Sequence, residues 1–208
     1  MTNQHLRPVP AVAITDASWL DAQLDAARRR YRFAQRDALG VLWWYSASSV
    51  LLGPVISSLG QGDSAADPGL AATTLYLHPD GRVLDARSDS VCPDDHAKLG
   101  PAIADSLRDS IDAVVAASGA HTRALWAIAS DSLGNRLLWA DRRDLAEPLA
   151  LAIGPELPRP RYVEVGGTHV VRRNSCCLVY RSPGTAKCAS CPRQHPDERA
   201  ARLRAALG

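Results

Sequence analysis

Aromatic residues are scarce in this chain: Phe, Trp and Tyr make up 5% of its 208 residues, although five of them are Trp. Excess charge is scarcer still, since 24 Lys and Arg stand against 22 Asp and Glu for a formal net charge of +2. That balance excludes a whole-protein electrostatic field for nucleic acid or a membrane surface. Residues 1–16 contain two prolines and lack the basic start and apolar run of about 7–15 residues that mark a secretory signal. No uninterrupted apolar run reaches the roughly 20 residues of a membrane span. Residues 41–59 come closest, but Ser46, Ser48, Ser49, Gly53 and Pro54 interrupt them. There is no Walker-type phosphate loop, no G-x-G-x-x-G after a strand, no H-E-x-x-H, no G-x-S-x-G elbow and no internal repeat. No flavin or nicotinamide fingerprint is present. The 46% hydrophobic content is that of an ordinary globular chain of one domain, or one domain with a small appended module. The expected location is the cytoplasm.

Cysteine is also rare, with five in all, yet four of them crowd into 16 residues. Cys176, Cys177, Cys188 and Cys191 form the pattern C-C-x10-C-x2-C. In a cytoplasmic chain, clustered thiols read as metal-binding or redox-active rather than as disulfides. Four thiolates are the donor set of a tetrahedral zinc site or an iron–sulfur cluster. The C-x-x-C pair closes a tight loop that can turn both sulfurs to one metal. The vicinal pair is unusual, because neighbouring side chains on a strand point to opposite faces. Both can serve one cluster only if the backbone turns or bulges there. A structural zinc site normally uses two separated pairs. A two-iron cluster relaxes that demand, and the expected sharing is Cys188 with Cys191 on one iron and Cys176 with Cys177 on the other.

The run Arg173-x-Ser175-Cys176-Cys177-x-x-Tyr180, followed by Cys188-x-x-Cys191-Pro192, resembles the C-terminal signature of the FhuF-like siderophore-iron reductases. The helix around Trp43 and a later one carrying Trp126 resemble that family more loosely. The resemblance implies that Cys176, Cys177, Cys188 and Cys191 hold a [2Fe–2S] cluster that passes one electron to ferric iron in a siderophore, as an oxidoreductase of iron uptake. It implies a ferric siderophore as partner and an external electron donor, a ferredoxin or a reductase. It is compatible with peripheral attachment to the inner membrane without a membrane span, and it involves no nucleic acid. Arg172, Arg173, Arg181 and Lys187, with Arg193, flank the cysteines and are the candidate substrate-binding residues. Two alternatives stay open: a structural four-cysteine zinc knuckle whose basic C-terminal helix binds a partner, and an iron–sulfur redox sensor.

The expected fold class is α+β: a mainly helical body with a small antiparallel sheet, residues 1–160, and a C-terminal cluster-binding segment, residues 161–208, packed on it. Residues 11–15 suggest a short strand. Asp16 or Ser18 caps a helix to about Leu39, its apolar face Leu20, Leu24, Ala27, Tyr31 and Ala34. Arg28, Arg29 and Arg30 spread around that helix, as a solvated face or one edge of an anion site. Gly40 breaks the pattern, residues 41–59 make a core helix kinked at Gly53-Pro54, and residues 60–69 form a loop. Residues 73–85 read as a hairpin around Pro79-Asp80-Gly81, with His78 on the surface. Cys92 reads as a structural thiol.

Asp94 or Asp95 caps a helix to Ser118. A further helix runs from His121 or Thr122 to about Ala140, weakened at Gly134-Asn135, with Trp126 and Trp139 in the core. A short helix over residues 144–152, a proline-rich connector over 154–160 and a strand or bulged pair around Gly166-Gly167 follow. Residues 195–207 close the chain as a basic amphipathic helix with Ala200, Leu203 and Leu207 inward. His195 is a surface residue or a partner of the cluster.

Overall fold

A computed structural model describes residues 6–92 and 96–207. The class is α+β: seven α-helices, a three-stranded antiparallel sheet and a two-stranded hairpin are found among them. The two central helices are α2 (Arg36–Leu51) and α5 (Thr122–Trp139), each apolar nearly all round and buried on most faces. A helix with no polar stripe belongs inside a fold. Their few polar groups pair across the interface. Trp44 Nε1 donates to the Leu125 carbonyl at 2.9 Å, and the Ser48 and Ser132 hydroxyls are 2.8 Å apart.

The first helix ends earlier than its pattern suggests. Asp16 caps α1 (Ala17–Tyr31) by accepting from Trp19 N at 2.8 Å, and Arg32 turns left-handed at φ 55° to stop it. Gly40 does not break the helix but lies inside α2. A Cβ there would stand 2.2 Å from Ser118 Oγ at the end of α4 (His96–Ser118), so glycine is what lets these helices touch. Gly53-Pro54 is a boundary rather than a kink, with Pro54 at the start of α3 (Gly53–Gln61), where its missing N–H costs nothing. Gly60 is helical too, seated against Ala140, and Gly62 ends the helix at φ 76°. The stretch Arg36–Gln61 is thus long and apolar enough to cross a membrane by length and composition, more than its interrupted sequence suggested, but 78% of its apolar window is buried inside the fold. The expected caps Asp94 and Asp95 lie outside the described residues.

Arginines finish the helix C-termini, whose last carbonyls have no helical partner. Arg36 Nε donates to the Ala117 carbonyl at 2.6 Å, Arg136 Nε to Ser49 at 2.6 Å, and Arg142 Nη1 to Leu59 at 2.8 Å. The helix α6 (Ala146–Ile153) packs on α4, where Gly100 admits the Ala152 backbone.

The expected hairpin is β2 (Thr73–Leu77) and β3 (Val83–Ser88), and β1 (Arg7–Pro10) adds an edge strand to β2. The sheet therefore begins before residues 11–15, which form a 3-10 turn. Pro8 and Pro10 cannot donate to a ladder, and an edge strand tolerates that. Asp80 in the β2–β3 turn pairs with Arg30 of α1 at 2.6 Å and with Arg82 and His78 at 3.1 and 2.8 Å. Arg30 is thus a brace for the hairpin, while Arg28 and Arg29 are solvated.

The second hairpin pairs β4 (Tyr162–Val165) with β5 (Thr168–Val171) through Gly166-Gly167, both at positive φ as a tight hairpin turn requires. It lies on α5 at Gly134, where an added Cβ would meet Pro160 and Val171 at 3.1 and 3.2 Å. Tyr162 Oη donates to the Gly134 carbonyl at 3.0 Å. The glycine expected to weaken α5 instead seats the hairpin that leads to the cysteines. Trp126 is buried, but Trp139 is 68% exposed, its ring under the Arg136 guanidinium at 5.4 Å. The last helix, α7 (Pro196–Leu207), is peripheral: Leu203 is half-buried and Leu207 exposed, contrary to the expected inward face.

Candidate metal centre

Strand β5 delivers the chain to Arg172, and α5 takes hold of the next three residues. Asp131, 1% exposed in the middle of α5, accepts from Asn174 N at 2.7 Å and Ser175 N at 3.2 Å. The same carboxylate faces Arg173 Nε at 3.5 Å, and Asn174 Nδ2 donates to Ser130 Oγ at 3.1 Å. Burial pushes the Asp131 pKa up, against the hydrogen bonds from Asn174, Ser175 and Arg173. A buried carboxylate is stable only when paired and hydrogen-bonded, and here its partners are the loop that carries the first two cysteines.

Arg173 occupies the centre of this arrangement. Its guanidinium lies 4.7 Å from the Tyr45 ring centroid, Nη1 is 3.6 Å from Cys188 Sγ, and it hydrogen-bonds to Cys177 as well. Burial opposes its charge, but Tyr45, Cys177 and Asp131 outweigh that and push its pKa up.

The vicinal cysteines resolve as the sequence demanded, by a turn. Leu178 follows them at φ 62°, the left-handed region, and opens the 3-10 turn Val179–Arg181. That reversal aims two successive amides back: Leu178 N donates to Cys176 Sγ at 3.5 Å and Val179 N to Cys177. Ser182 Oγ then donates to the Tyr31 carbonyl at 2.5 Å, tying the segment to the end of α1.

The C-x-x-C loop is held from α7. Cys191 N donates to the Cys188 carbonyl at 3.0 Å. The buried Gln194 amide donates to the Cys188 and Ala189 carbonyls at 2.7 and 3.2 Å, and Arg202 of α7 donates to Gln194 Oε1 at 2.8 Å.

The four thiols meet. Cys176 Sγ lies 3.6 Å from Cys191 Sγ, and Cys177 is hydrogen-bonded to Cys188 and Cys176. Those two hydrogen bonds, from Cys176 first, hold the Cys177 pKa far below the ordinary thiol range, aided by Val179 N–H and Arg173. Cys176 and Cys188 are pushed up, chiefly by their hydrogen bonds to Cys177 and then by burial. Cys177 and Cys191 are buried, Cys176 and Cys188 half-buried. A tetrahedral thiolate site with bonds of about 2.3 Å places its sulfurs roughly 3.8 Å apart, so the Cys176–Cys191 spacing is that of two ligands on one metal. Arg173 Nη2 and Ser175 Oγ are buried without a hydrogen-bond partner beside these sulfurs, and a sulfide-containing cluster supplies acceptors for such donors.

Residues 173–193 match the family model of the FhuF 2Fe-2S C-terminal domain. This supports a FhuF-like assignment, and the cofactor is a [2Fe–2S] cluster. The matched stretch is about a tenth of the chain. A comparison with curated proteins finds no match. The FhuF-type segment contains all four clustered cysteines, which are the residues that could hold the cluster, whereas Cys92 is buried elsewhere with its N–H on the Ala65 carbonyl at 2.7 Å. Asp131 and Gln194 were not singled out from the sequence. The signal for Asp131 was there: Ser130-Asp131-Ser132 interrupts an otherwise apolar helix.

A cleft of about 800 Å³ opens beside the FhuF-type segment, with Cys176 in its wall and Arg123, Arg181, Arg193 and His121 around it, against the single carboxylate of Asp37. Of the candidate substrate residues, Arg181 lines this cleft. Arg172 and Lys187 are exposed but outside its lining, Lys187 Nζ donating to the Arg193 carbonyl at 3.0 Å. Arg173 is 8% exposed and faces the sulfurs, so it is part of the metal centre and not of a substrate surface. His195 is exposed beside Asp197, turned to solvent.

Proposed function

We propose that the protein is a cytoplasmic ferric-siderophore reductase that takes electrons one at a time from an external donor, a ferredoxin or a reductase. The observation that carries this reading is Cys176, a half-buried ligand candidate in the wall of a cleft rimmed by Arg123, Arg181, Arg193 and His121. When bound, the [2Fe–2S] cluster supplies one-electron redox chemistry. The chain's own residues do the rest. The cleft's three arginines attract an iron chelate of net negative charge and bring it to Cys176, which is half-buried in the cleft wall. Leu178 and Val179 amides and Arg173 offset the negative charge of the thiolates, which favours the reduced state. Ferric iron in hydroxamate or catecholate oxygen donors is held very tightly, and the softer ferrous ion much less so. Reduction therefore loosens the chelate and releases Fe(II).

The test is anaerobic stopped-flow mixing of dithionite-reduced protein with a ferric hydroxamate or catecholate, with a ferrous chelator present. Bleached visible bands that return as the ferrous complex forms, one iron per cluster oxidised, are the expected result. Bands that return only on adding oxygen would sink the reductase reading in favour of a sensor.

A further inference from the structure

We infer that the two irons divide the cysteines crosswise, Cys176 with Cys191 on one and Cys177 with Cys188 on the other, and that Arg173 fixes the added electron on the second iron. Four thiolates shared by two irons allow three pairings. The sulfur contacts support one of them on both sides: Cys176 Sγ is 3.6 Å from Cys191 Sγ, and Cys177 is hydrogen-bonded to Cys188. Cys176 and Cys177 also touch, but pairing them on one iron leaves Cys188 with Cys191, whose sulfurs face different partners. Cys188 Sγ faces Arg173, Cys177 and Ser190, while Cys191 Sγ faces Cys176. The local backbone explains this. The left-handed turn at Leu178 sends a separate amide to each sulfur, Leu178 N to Cys176 and Val179 N to Cys177, although the two thiols touch. The C-x-x-C loop straddles the same two irons from the other side.

The two halves then differ in their charge surroundings. The Arg173 guanidinium is within reach of both ligands of one iron, with Nη1 3.6 Å from Cys188 Sγ and a hydrogen bond to Cys177. It is buried, so its field is little screened, and Asp131 meets it on the Nε edge rather than on the edge toward the sulfur. The arginines near the Cys176 half are exposed in the cleft. A buried positive charge favours the lower oxidation state of its nearest iron. One electron from dithionite's sulfur dioxide radical anion, which leaves as sulfur dioxide, converts two ferric irons to one ferric and one ferrous, and no ligand bond breaks.

This rests on the cluster and not on the acceptor, so no siderophore enters the test. Each of the four cysteines is replaced in turn by selenocysteine, a one-atom change that preserves the fold. The selenium hyperfine coupling of each dithionite-reduced holoprotein is read by pulsed EPR. Positions 176 and 191 should share the coupling of a ferric ligand, and 177 and 188 that of a ferrous ligand. Matching couplings within 176 and 177, or within 188 and 191, would overturn the pairing. The double variant Arg173→Gln/Asp131→Asn removes both buried charges together. It should move the reduction potential to more negative values, and an unchanged potential with unchanged couplings would overturn the role of Arg173.

Discussion

The Asp131 carboxylate and the Asn174 amide, 2.7 Å apart, join the central helix α5 to the loop that carries the cluster ligands. With Ser175 N and Arg173 Nε on the same carboxylate, one side chain of α5 fixes the start of the metal centre. Replacing Asp131 by Ala leaves Arg173 Nε and two backbone amides without their acceptor at once. Breaking one partner of a buried ion pair costs about 3–5 kcal/mol, so Asp131→Ala should lower the thermal midpoint by roughly 10 °C and shorten cluster lifetime in air. Asp131→Asn, which retains one acceptor, should lose less. Calorimetry and the decay of visible absorbance measure both, and a variant as stable as wild type would refute the anchoring role.

Asp80 gives the β2–β3 turn a pH dependence. Burial pushes its pKa up, but hydrogen bonds from Arg30, Arg82 and His78 prevail and hold it well below the usual carboxylate range. A carboxyl whose pKa is depressed on folding contributes stability that is complete above its unfolded value, about 3.9, and is lost as the pH falls toward the folded value. The pair is partly exposed, so the contribution is on the order of 1 kcal/mol. Asp80→Asn should therefore shift the urea midpoint most at neutral pH and by less near pH 2, roughly midway between the unfolded carboxyl pKa and the depressed folded value. An equal shift at both would show that the effect is not electrostatic.

The close approach of α6 to α4 rests on Gly100. A Cβ there would lie 2.4 Å from Ala152 Cβ and 2.6 Å from the Ala152 carbonyl carbon. Backbone cannot swing aside as a side chain can, so Gly100→Ala should destabilise by about 1–3 kcal/mol through overpacking. Helix propensity alone would have made this substitution favourable by about 1 kcal/mol, so the sign of the change in a denaturation curve decides between them.

The parts of this fold that follow local rules were readable in the sequence. The Asp16 cap, the Pro79-Asp80-Gly81 hairpin and the cysteine spacing depend on a few neighbouring residues. What escaped depends on residues far apart in the chain. Gly40, Gly60 and Gly134 look like breaks, but they lie inside helices because Ser118, Ala140, and Pro160 with Val171 press against them. Arg173 looked like a solvated or ligand-binding charge among several, and only the fold brings Asp131, Tyr45 and Cys188 around it. The contact of Cys176 with Cys191 across a 15-residue separation escaped the sequence for the same reason. Trp139 was expected in the core by residue type, yet it ends α5 in solvent, stacked under Arg136.

The cleft beside Cys176 makes a charge prediction that separates binding from stability. Arg181 and Arg193 line it and are exposed, so reversing either charge removes little packing. Arg193→Glu should slow the oxidation of reduced protein by an anionic ferric chelate several-fold at low ionic strength, and less at high salt, where screening acts within about 10 Å or under. Oxidation by a neutral ferric chelate should change little, and the thermal midpoint should stay within about 1 °C, since surface changes of this kind cost under about 0.5 kcal/mol. Stopped-flow traces for the two chelates across a salt series distinguish the cases. A loss that is equal for both chelates and indifferent to salt would mean that Arg193 acts through the neighbouring Pro192 and Cys191, on the metal centre itself, and that the chelate approaches from another side.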